Sequence, residues 1–176
     1  MIKEQEQVMS AAEAKTIADF LIADFEGEMK TTMRVMAAVP GSNLDYRPDA
    51  VSKTGLGLLR HLALEDEWLL NCTADGKFVP PPDDSDACGI MTPTDAIACY
   101  KEKISAGINR VRAMSGEQLC GKIDFLGMWQ MPGIVYLSLI IKHSVHHRGQ
   151  LSTYLRPMGG KVPGIYGPSA DTQTPA

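Results

Sequence analysis

The sequence predicts an all-α protein built as a four-helix bundle. Four segments repeat apolar residues with helical periodicity, and stretches rich in glycine, proline or aspartate separate them. The chain has 176 residues, of which 44% are hydrophobic, which is enough for one domain with a substantial core and short for two. We therefore predict a single domain over residues 1–176, with its helices around one core.

The first two helices are predicted in the N-terminal half. Ser10 and Glu13 match a capping box, in which each side chain satisfies a free backbone donor at a helix start. The helical pattern that begins there runs to Val39, and Pro40 stops it. After a connection rich in aspartate and proline, a second helical pattern covers about residues 52–71.

A long loop is predicted between the second and third helices. Residues 72–91 are rich in proline, glycine and aspartate, which cannot sustain a helix. Thr92 then suits an N-cap and Pro93 suits the first helical position. We predict that the third helix runs from there to Met114.

The last helix follows an irregular stretch over residues 117–131, which the sequence presents as a crossover loop or a short hairpin. It is predicted to begin near Pro132 and to continue through Tyr154 to Pro157. The remaining residues, about 158–176, form a tail rich in glycine and proline, a composition typical of extended or disordered chain.

Charge and terminal composition exclude several classes of function. The net charge is −4 and the pI about 5.5, so no basic field would attract nucleic acid or anionic lipid. The N-terminus lacks the apolar core of a signal peptide, and no later run approaches the length of a membrane span. We predict a cytoplasmic protein that binds neither nucleic acid nor membrane.

Histidine clustering is the main indication of chemistry. The chain has four histidines, and three of them lie at positions 143, 146 and 147 of the last helix. His143 and His147 are about 40° apart on a helix, so both imidazoles leave one face and can converge on one ion. His146 falls about 100° from His147 on the predicted solvent side, and it is left out of the site.

His61 is the candidate third ligand. It lies midway along the second helix, on the apolar face that Leu58 and Trp68 share, where a histidine needs a polar partner. If its height matches that of the pair, three imidazoles hold one ion and leave a coordination position open, as in catalytic sites. The alternatives are a buried histidine bonded to a hydroxyl or carbonyl, and a solvated histidine pair.

Three further residues are candidates because of their positions beside these histidines. Glu65 lies one turn after His61 and could be a fourth ligand, an acceptor for an imidazole N–H, a general base or a helix-edge carboxylate. Arg148 and Gln150 flank His147 and could bind a cofactor or ligand, or pin the helix end. The alternative for Arg148 is a solvated side chain or one paired with a carboxylate.

The run Lys142-His143-Ser144-Val145-His146-His147-Arg148-Gly149-Gln150-Leu151 resembles a known signature. It is similar to the HxxxHRxQ pattern at the end of the last bundle helix in DinB-like proteins, the DinB/YfiT superfamily. The Tyr46-Arg47-Pro48-Asp49 segment ahead of the His61 helix, and the tail over residues 160–168, also resemble that family. The similarity spans most of the chain.

This resemblance implies a bundle in up-down-down-up order with long crossover loops, and commonly a homodimer. It also implies a divalent metal held by the residues that match the family's three histidines, His61, His143 and His147. Characterised members include transferases and isomerases that use low-molecular-weight thiols such as mycothiol, bacillithiol or glutathione. In such a protein the metal would hold and activate the thiolate.

The resulting hypothesis is a metal-dependent enzyme in which the three histidines hold zinc or nickel. Its open position would activate a thiol or water nucleophile, giving a reaction like that of a thiol S-transferase or a hydrolase on a small molecule. The alternative is a metal-binding, stress-related interaction protein without turnover. The fourth position discriminates between them, because a protein side chain there favours a structural ion.

Overall fold

Four long α-helices make up most of the structure, a computed structural model that describes residues 9–173. They are α1 (Ala11–Ala37), α2 (Gly55–Asp75), α3 (Pro93–Arg112) and α5 (Gly133–Tyr154). The smaller elements are a 3₁₀ turn (Asp86–Cys88), the short helix α4 (Gly116–Cys120) and the strands β1 (Lys122–Asp124) and β2 (Gln130–Pro132). The predicted all-α class is confirmed. None of the helices within residues 9–173 combines the length and apolar character needed to cross a membrane.

Local capping sets the helix ends. The predicted Ser10 capping box is present at the start of α1, and Thr92 forms a second one at the start of α3. The bounds predicted for α2 were wrong by a few residues at both ends. Thr54 caps its start, and the helix continues to Asp75 because Gly76 adopts the left-handed conformation, with φ 67°, that closes a helix.

Helix contacts define the arrangement of the bundle. α2 packs against α3 and α5, and α1 packs against the other sides of the same two helices. Three hydrogen bonds near helix ends give the directions: Lys15 to Arg112, Tyr154 to Lys53, and Arg110 to Asn71. α1 and α5 therefore run one way and α2 and α3 the other.

The segment before α5 contains more structure than the sequence indicated. Of the two alternatives for residues 117–131 the structure shows a hairpin, with β1 and β2 antiparallel, and it adds the short helix α4 ahead of it. An aromatic cluster attaches the hairpin to the bundle. Phe125 stacks on Trp129 with ring centroids 4.7 Å apart and contacts Phe78 at 4.6 Å.

The tail lies on the bundle over its described part, residues 158–173. Met158 is buried, and Val162 and Ile165 pack against the core that the four long helices share. The backbone forms turns there, and the Gly160 N–H donates to the Leu155 carbonyl at 2.8 Å. Of the two predicted alternatives for the tail, extended or disordered chain, the described residues are ordered and partly packed on the core.

Candidate metal centre

Three histidines meet where α2 contacts α5. The Nε2 atom of His61 lies 3.0 Å from Nε2 of His147 and 3.3 Å from Nε2 of His143. One ring nitrogen of each residue lies within 4.8 Å of those of the other two, so one ion could contact all three. His61 therefore lies at the same height along the bundle as His143 and His147, which the sequence analysis had to assume.

The opposite ring nitrogens of the α5 pair face oxygen acceptors. His143 Nδ1 lies 2.8 Å from Asp66 Oδ1, and His147 Nδ1 lies 2.7 Å from Gln150 Oε1. A neutral imidazole carries one proton, and an oxygen acceptor draws that proton to the nitrogen it faces. For His143 this leaves Nε2 as the lone-pair donor, the form that binds a metal, and His147 takes the same form when the Gln150 amide presents its oxygen as it does here.

His61 has a weaker version of the same arrangement. Among residues 9–173 its buried Nδ1 atom has no hydrogen-bond partner, and the Glu65 carboxylate is 3.5 Å away. Burial raises the pKa of Glu65. Glu65 is not a member of the three-histidine group and lies on the outer side of the His61 ring. Among its predicted roles, this position favours an acceptor for the imidazole N–H.

The spacing of the histidines is compatible with a bound metal. With all three Nε2 atoms unprotonated, the separations of 3.0 and 3.3 Å would place lone pairs against each other, an arrangement that a cation between them would stabilise. Nitrogen ligands around a tetrahedral zinc ion, with bonds of about 2.0–2.1 Å, are separated by roughly 3.3 Å. The residues present therefore fit one ion without a large movement of either helix.

Burial keeps two of the ligand candidates, His61 and His147, in the neutral form. Burial, reinforced by the neighbouring histidines, lowers the pKa of His61 to about 3 and that of His147 to about 4. The cluster is not sealed from solvent, since the His61 and His143 side chains are 12% and 17% exposed.

Asp66 is the site residue that the sequence analysis missed. Its side chain is fully buried, and its second carboxylate oxygen accepts a hydrogen bond from the Tyr100 hydroxyl at 3.1 Å. Burial, followed by the charge of Asp66, raises the pKa of Tyr100 well above its usual value, so this hydroxyl remains a donor. Helix phase could have revealed Asp66, because it lies one turn from the buried Leu62 and Leu70.

The remaining candidates on α5 lie around the cluster with different partners. Arg148 is buried against α1, where it pairs with the Glu28 carboxylate and donates to the Tyr166 hydroxyl at 2.5 Å. Pairing with a carboxylate was one of its predicted alternatives, and it is the one present here. Gln150 contacts His147 through its side-chain oxygen, whereas His146 is exposed and outside the group.

Comparison with known sequences gives one family. The model of the DinB family matches residues 12–175. The uncharacterised protein YrdA of Bacillus subtilis is 26% identical over 155 residues, which cover 87% of this chain and 90% of YrdA. YjoA of the same organism is 22% identical over 141 residues, covering 79% of this chain and 89% of YjoA.

Solved structures show the same fold. The crystal structure of the DinB-like protein YjoA from Bacillus subtilis superposes with a TM-score of 0.65 at 19% identity, covering 85% of this chain and 99% of that one. A DinB-like protein from Bacillus cereus gives a TM-score of 0.70 at 22% identity, covering 83% and 95%. These likenesses establish the fold of the chain.

Proposed function

This chain belongs to the DinB family, and we propose that it is an enzyme in which His61, His143 and His147 hold one divalent metal ion, zinc or nickel. The observation that carries the proposal is the convergence of the three Nε2 atoms, two of them with Nδ1 bonded to a side-chain oxygen. When bound by three imidazoles, such an ion acts as a Lewis acid and lowers the pKa of a water or thiol.

The proposal of catalysis rests on the number of protein ligands. Within residues 9–173 the group of candidate ligands consists of the three histidines alone. A four-coordinate ion held by three side chains keeps one position for an exogenous group, which distinguishes catalytic from structural zinc sites. The partial exposure of His61 and His143 gives that group a route from solvent.

We propose a thiol or a water molecule as the nucleophile, with thiol S-transfer or hydrolysis as the reaction class. Glu65 would hold the outer nitrogen of His61, and Gln150 that of His147, so that each ring keeps its Nε2 atom turned inward. A low-molecular-weight thiol as co-substrate follows from the family resemblance. A screen of electrophilic substrates would identify the small molecule that accepts the nucleophile.

The test is a screen of electrophilic substrates with glutathione, bacillithiol and mycothiol, together with a panel of hydrolysable esters and amides. Wild-type protein loaded with zinc or nickel is compared with His147→Ala and, as a matched control, His146→Ala. We expect turnover in the wild type and in His146→Ala, and a loss of at least about 100-fold in His147→Ala. Mutation of a residue that only hydrogen-bonds a metal ligand typically lowers activity about 10–100-fold, and loss of the ligand itself should lower it more.

Two outcomes would overturn parts of this proposal. Equal rates in the wild type and His147→Ala would remove metal-centred catalysis. Bound metal without turnover of any substrate would favour the alternative, a non-catalytic metal-binding protein. A homodimer stays a prediction from the family, and light scattering on the full chain tests it, with a monomeric mass as the contradicting result.

A further inference from the structure

A chain of buried polar groups connects the centre of the bundle with the histidine cluster. Asp66 on α2, Tyr100 on α3 and Ser144 on α5 are all fully buried. The Tyr100 hydroxyl lies 3.1 Å from Asp66 and 3.3 Å from the Ser144 hydroxyl. Asp66 contacts His143 through its other oxygen, so this series of polar groups ends on a candidate metal ligand.

A carboxylate with no exposure is costly unless hydrogen-bond donors surround it. Asp66 has one donor for each oxygen: the Tyr100 hydroxyl for Oδ2 and the His143 Nδ1–H for Oδ1. The Ser144 hydroxyl can donate to the Tyr100 oxygen, which leaves the Tyr100 proton directed at Asp66. The arrangement is therefore satisfied only when the His143 proton is on Nδ1.

The other two histidines lack a partner of this kind. The partner of His147 is Gln150, which is neutral and exposed, and the carboxylate of Glu65 is 3.5 Å from His61, beyond a good hydrogen bond. Asp66 alone combines charge, complete burial and a short contact of 2.8 Å. His143 is therefore the most firmly oriented of the three rings.

We propose that Asp66 is a positioning residue that holds His143 in the Nδ1–H tautomer and directs its Nε2 atom at the metal, an inference that rests on the proposed metal site. Its buried negative charge also balances the charge of a cation on the far side of the imidazole. Tyr100 and Ser144 would act through Asp66 by keeping its second oxygen satisfied. A purely structural role for Asp66 would stabilise the bundle without setting the tautomer.

The tautomer can be measured directly in the metal-free, full-length protein. Imidazole ¹⁵N chemical shifts, recorded at mildly alkaline pH, distinguish a protonated from an unprotonated ring nitrogen. In the wild type we expect His143 to carry its proton on Nδ1. In Asp66→Asn the new amide can turn its NH₂ group towards His143, so we expect a mixed or reversed tautomer.

Metal affinity gives the second readout, by competition for zinc with a chromophoric chelator. We expect Asp66→Asn to bind zinc about 10–100-fold more weakly than the wild type. The matched control is Thr73→Val, which removes the buried hydrogen bond from Thr73 to the Leu69 carbonyl on the same helix. This control should lower the melting temperature while the tautomer and the zinc affinity stay at the wild-type values.

The results separate this inference from the proposed function. A wild-type His143 protonated on Nε2 would overturn the role of Asp66, and so would an Asp66→Asn variant with unchanged tautomer and affinity. If the variant does not fold, the wild-type tautomer still decides. If wild-type protein binds no zinc or nickel, the proposed function fails, whereas the tautomer measurement continues to test what Asp66 does.

Discussion

Two polar clusters lie side by side on α5. They differ in whether the groups in each cluster satisfy one another by charge and hydrogen bonding. His147 faces α2 and the other two histidines, whereas the next residue, Arg148, faces α1. Around Arg148, a cation meets the carboxylate of Glu28 and the hydroxyl of Tyr166, and the ring of Tyr166 lies 5.2 Å from the guanidinium. Around His147, like groups face each other.

The difference indicates what each cluster does. Opposite charges with a shared hydroxyl satisfy one another, so the Arg148 cluster needs nothing from outside the chain. Three imidazoles whose Nε2 atoms meet can be satisfied by a shared cation, by an extra proton or by the Nε2–H tautomer of His61, and burial opposes extra protons on His61 and His147. The first cluster should therefore serve stability and the second one ligand binding.

The largest effect on stability is expected from Arg148→Met. This change leaves the Glu28 carboxylate, which is 14% exposed, without its cation, and breaking such a pair costs about 3–5 kcal/mol. Urea denaturation measures the loss, and the zinc affinity of the folded protein should not change. A stable Arg148→Met protein that no longer binds zinc would contradict this assignment, because it would show that Arg148 serves metal binding and not stability.

Arg156→Met is the matched control for that experiment. Arg156 also pairs with an aspartate, Asp171, but its side chain is 55% exposed. Exposed pairs contribute about 0–1 kcal/mol because water and salt screen them. A loss as large as that of Arg148→Met would show that the tail contact, rather than burial of the ion pair, controls stability.

A pH effect is expected to be intermediate in size and to belong to the histidine cluster. The pKa values of His61 and His147, about 3 and 4, lie below the ordinary value of 6.5, so the unfolded state binds more protons in acid. Their contribution is complete above pH 6.5 and is lost as the pH falls towards 4. We expect metal-free protein to lose about 1–2 kcal/mol over that window, after allowance for partial exposure.

Urea denaturation of metal-free protein at several pH values measures this effect. A variant with both His61→Gln and His147→Gln removes the two groups and should show a flatter dependence between pH 6.5 and 4. A wild-type stability that rises as the pH falls through this window would contradict the neutral state of the cluster.

Within the two clusters, the smallest effect is expected from Tyr166→Phe. The change removes the hydroxyl that lies 2.5 Å from Arg148 and 3.0 Å from Glu28, but keeps the ring over the guanidinium. The loss should be about 1 kcal/mol, less than the sum for two buried hydrogen bonds, because Tyr166 is 73% exposed and water can replace its hydroxyl. Urea denaturation measures it, and a loss as large as that of Arg148→Met would indicate that the hydroxyl, not the ion pair, holds the cluster together.

Much of the fold was accessible from the sequence because its signals are local. Apolar periodicity and the caps at Ser10 and Thr92 predict the long helices, and both caps form. The short helix α4 was missed although Ser115 and Gln118 carry the same kind of capping signal. Five residues are too few to show an apolar period, and the neighbouring glycines therefore led to the prediction of an irregular stretch.

The histidine cluster could be predicted because histidine is rare in this chain and the α5 spacing is informative by itself. Asp66 was missed because it lies between Glu65 and Glu67, and a run of acids suggests a solvated helix face. The partner of Arg148 could not be predicted, since Glu28 is 120 residues away and only the packing of α1 on α5 joins them.

The central claim is that the three histidines form one metal site, and metal content tests it most directly. Untagged wild-type protein and His61→Ala are dialysed in parallel against zinc and against nickel, freed of excess metal, and submitted to elemental analysis. We expect about one ion per chain in the wild type and a large loss in His61→Ala, because His61 would be the ligand that α2 contributes to the three-histidine group. Wild-type protein that retains neither metal, or His61→Ala protein that retains as much as the wild type, would contradict the account.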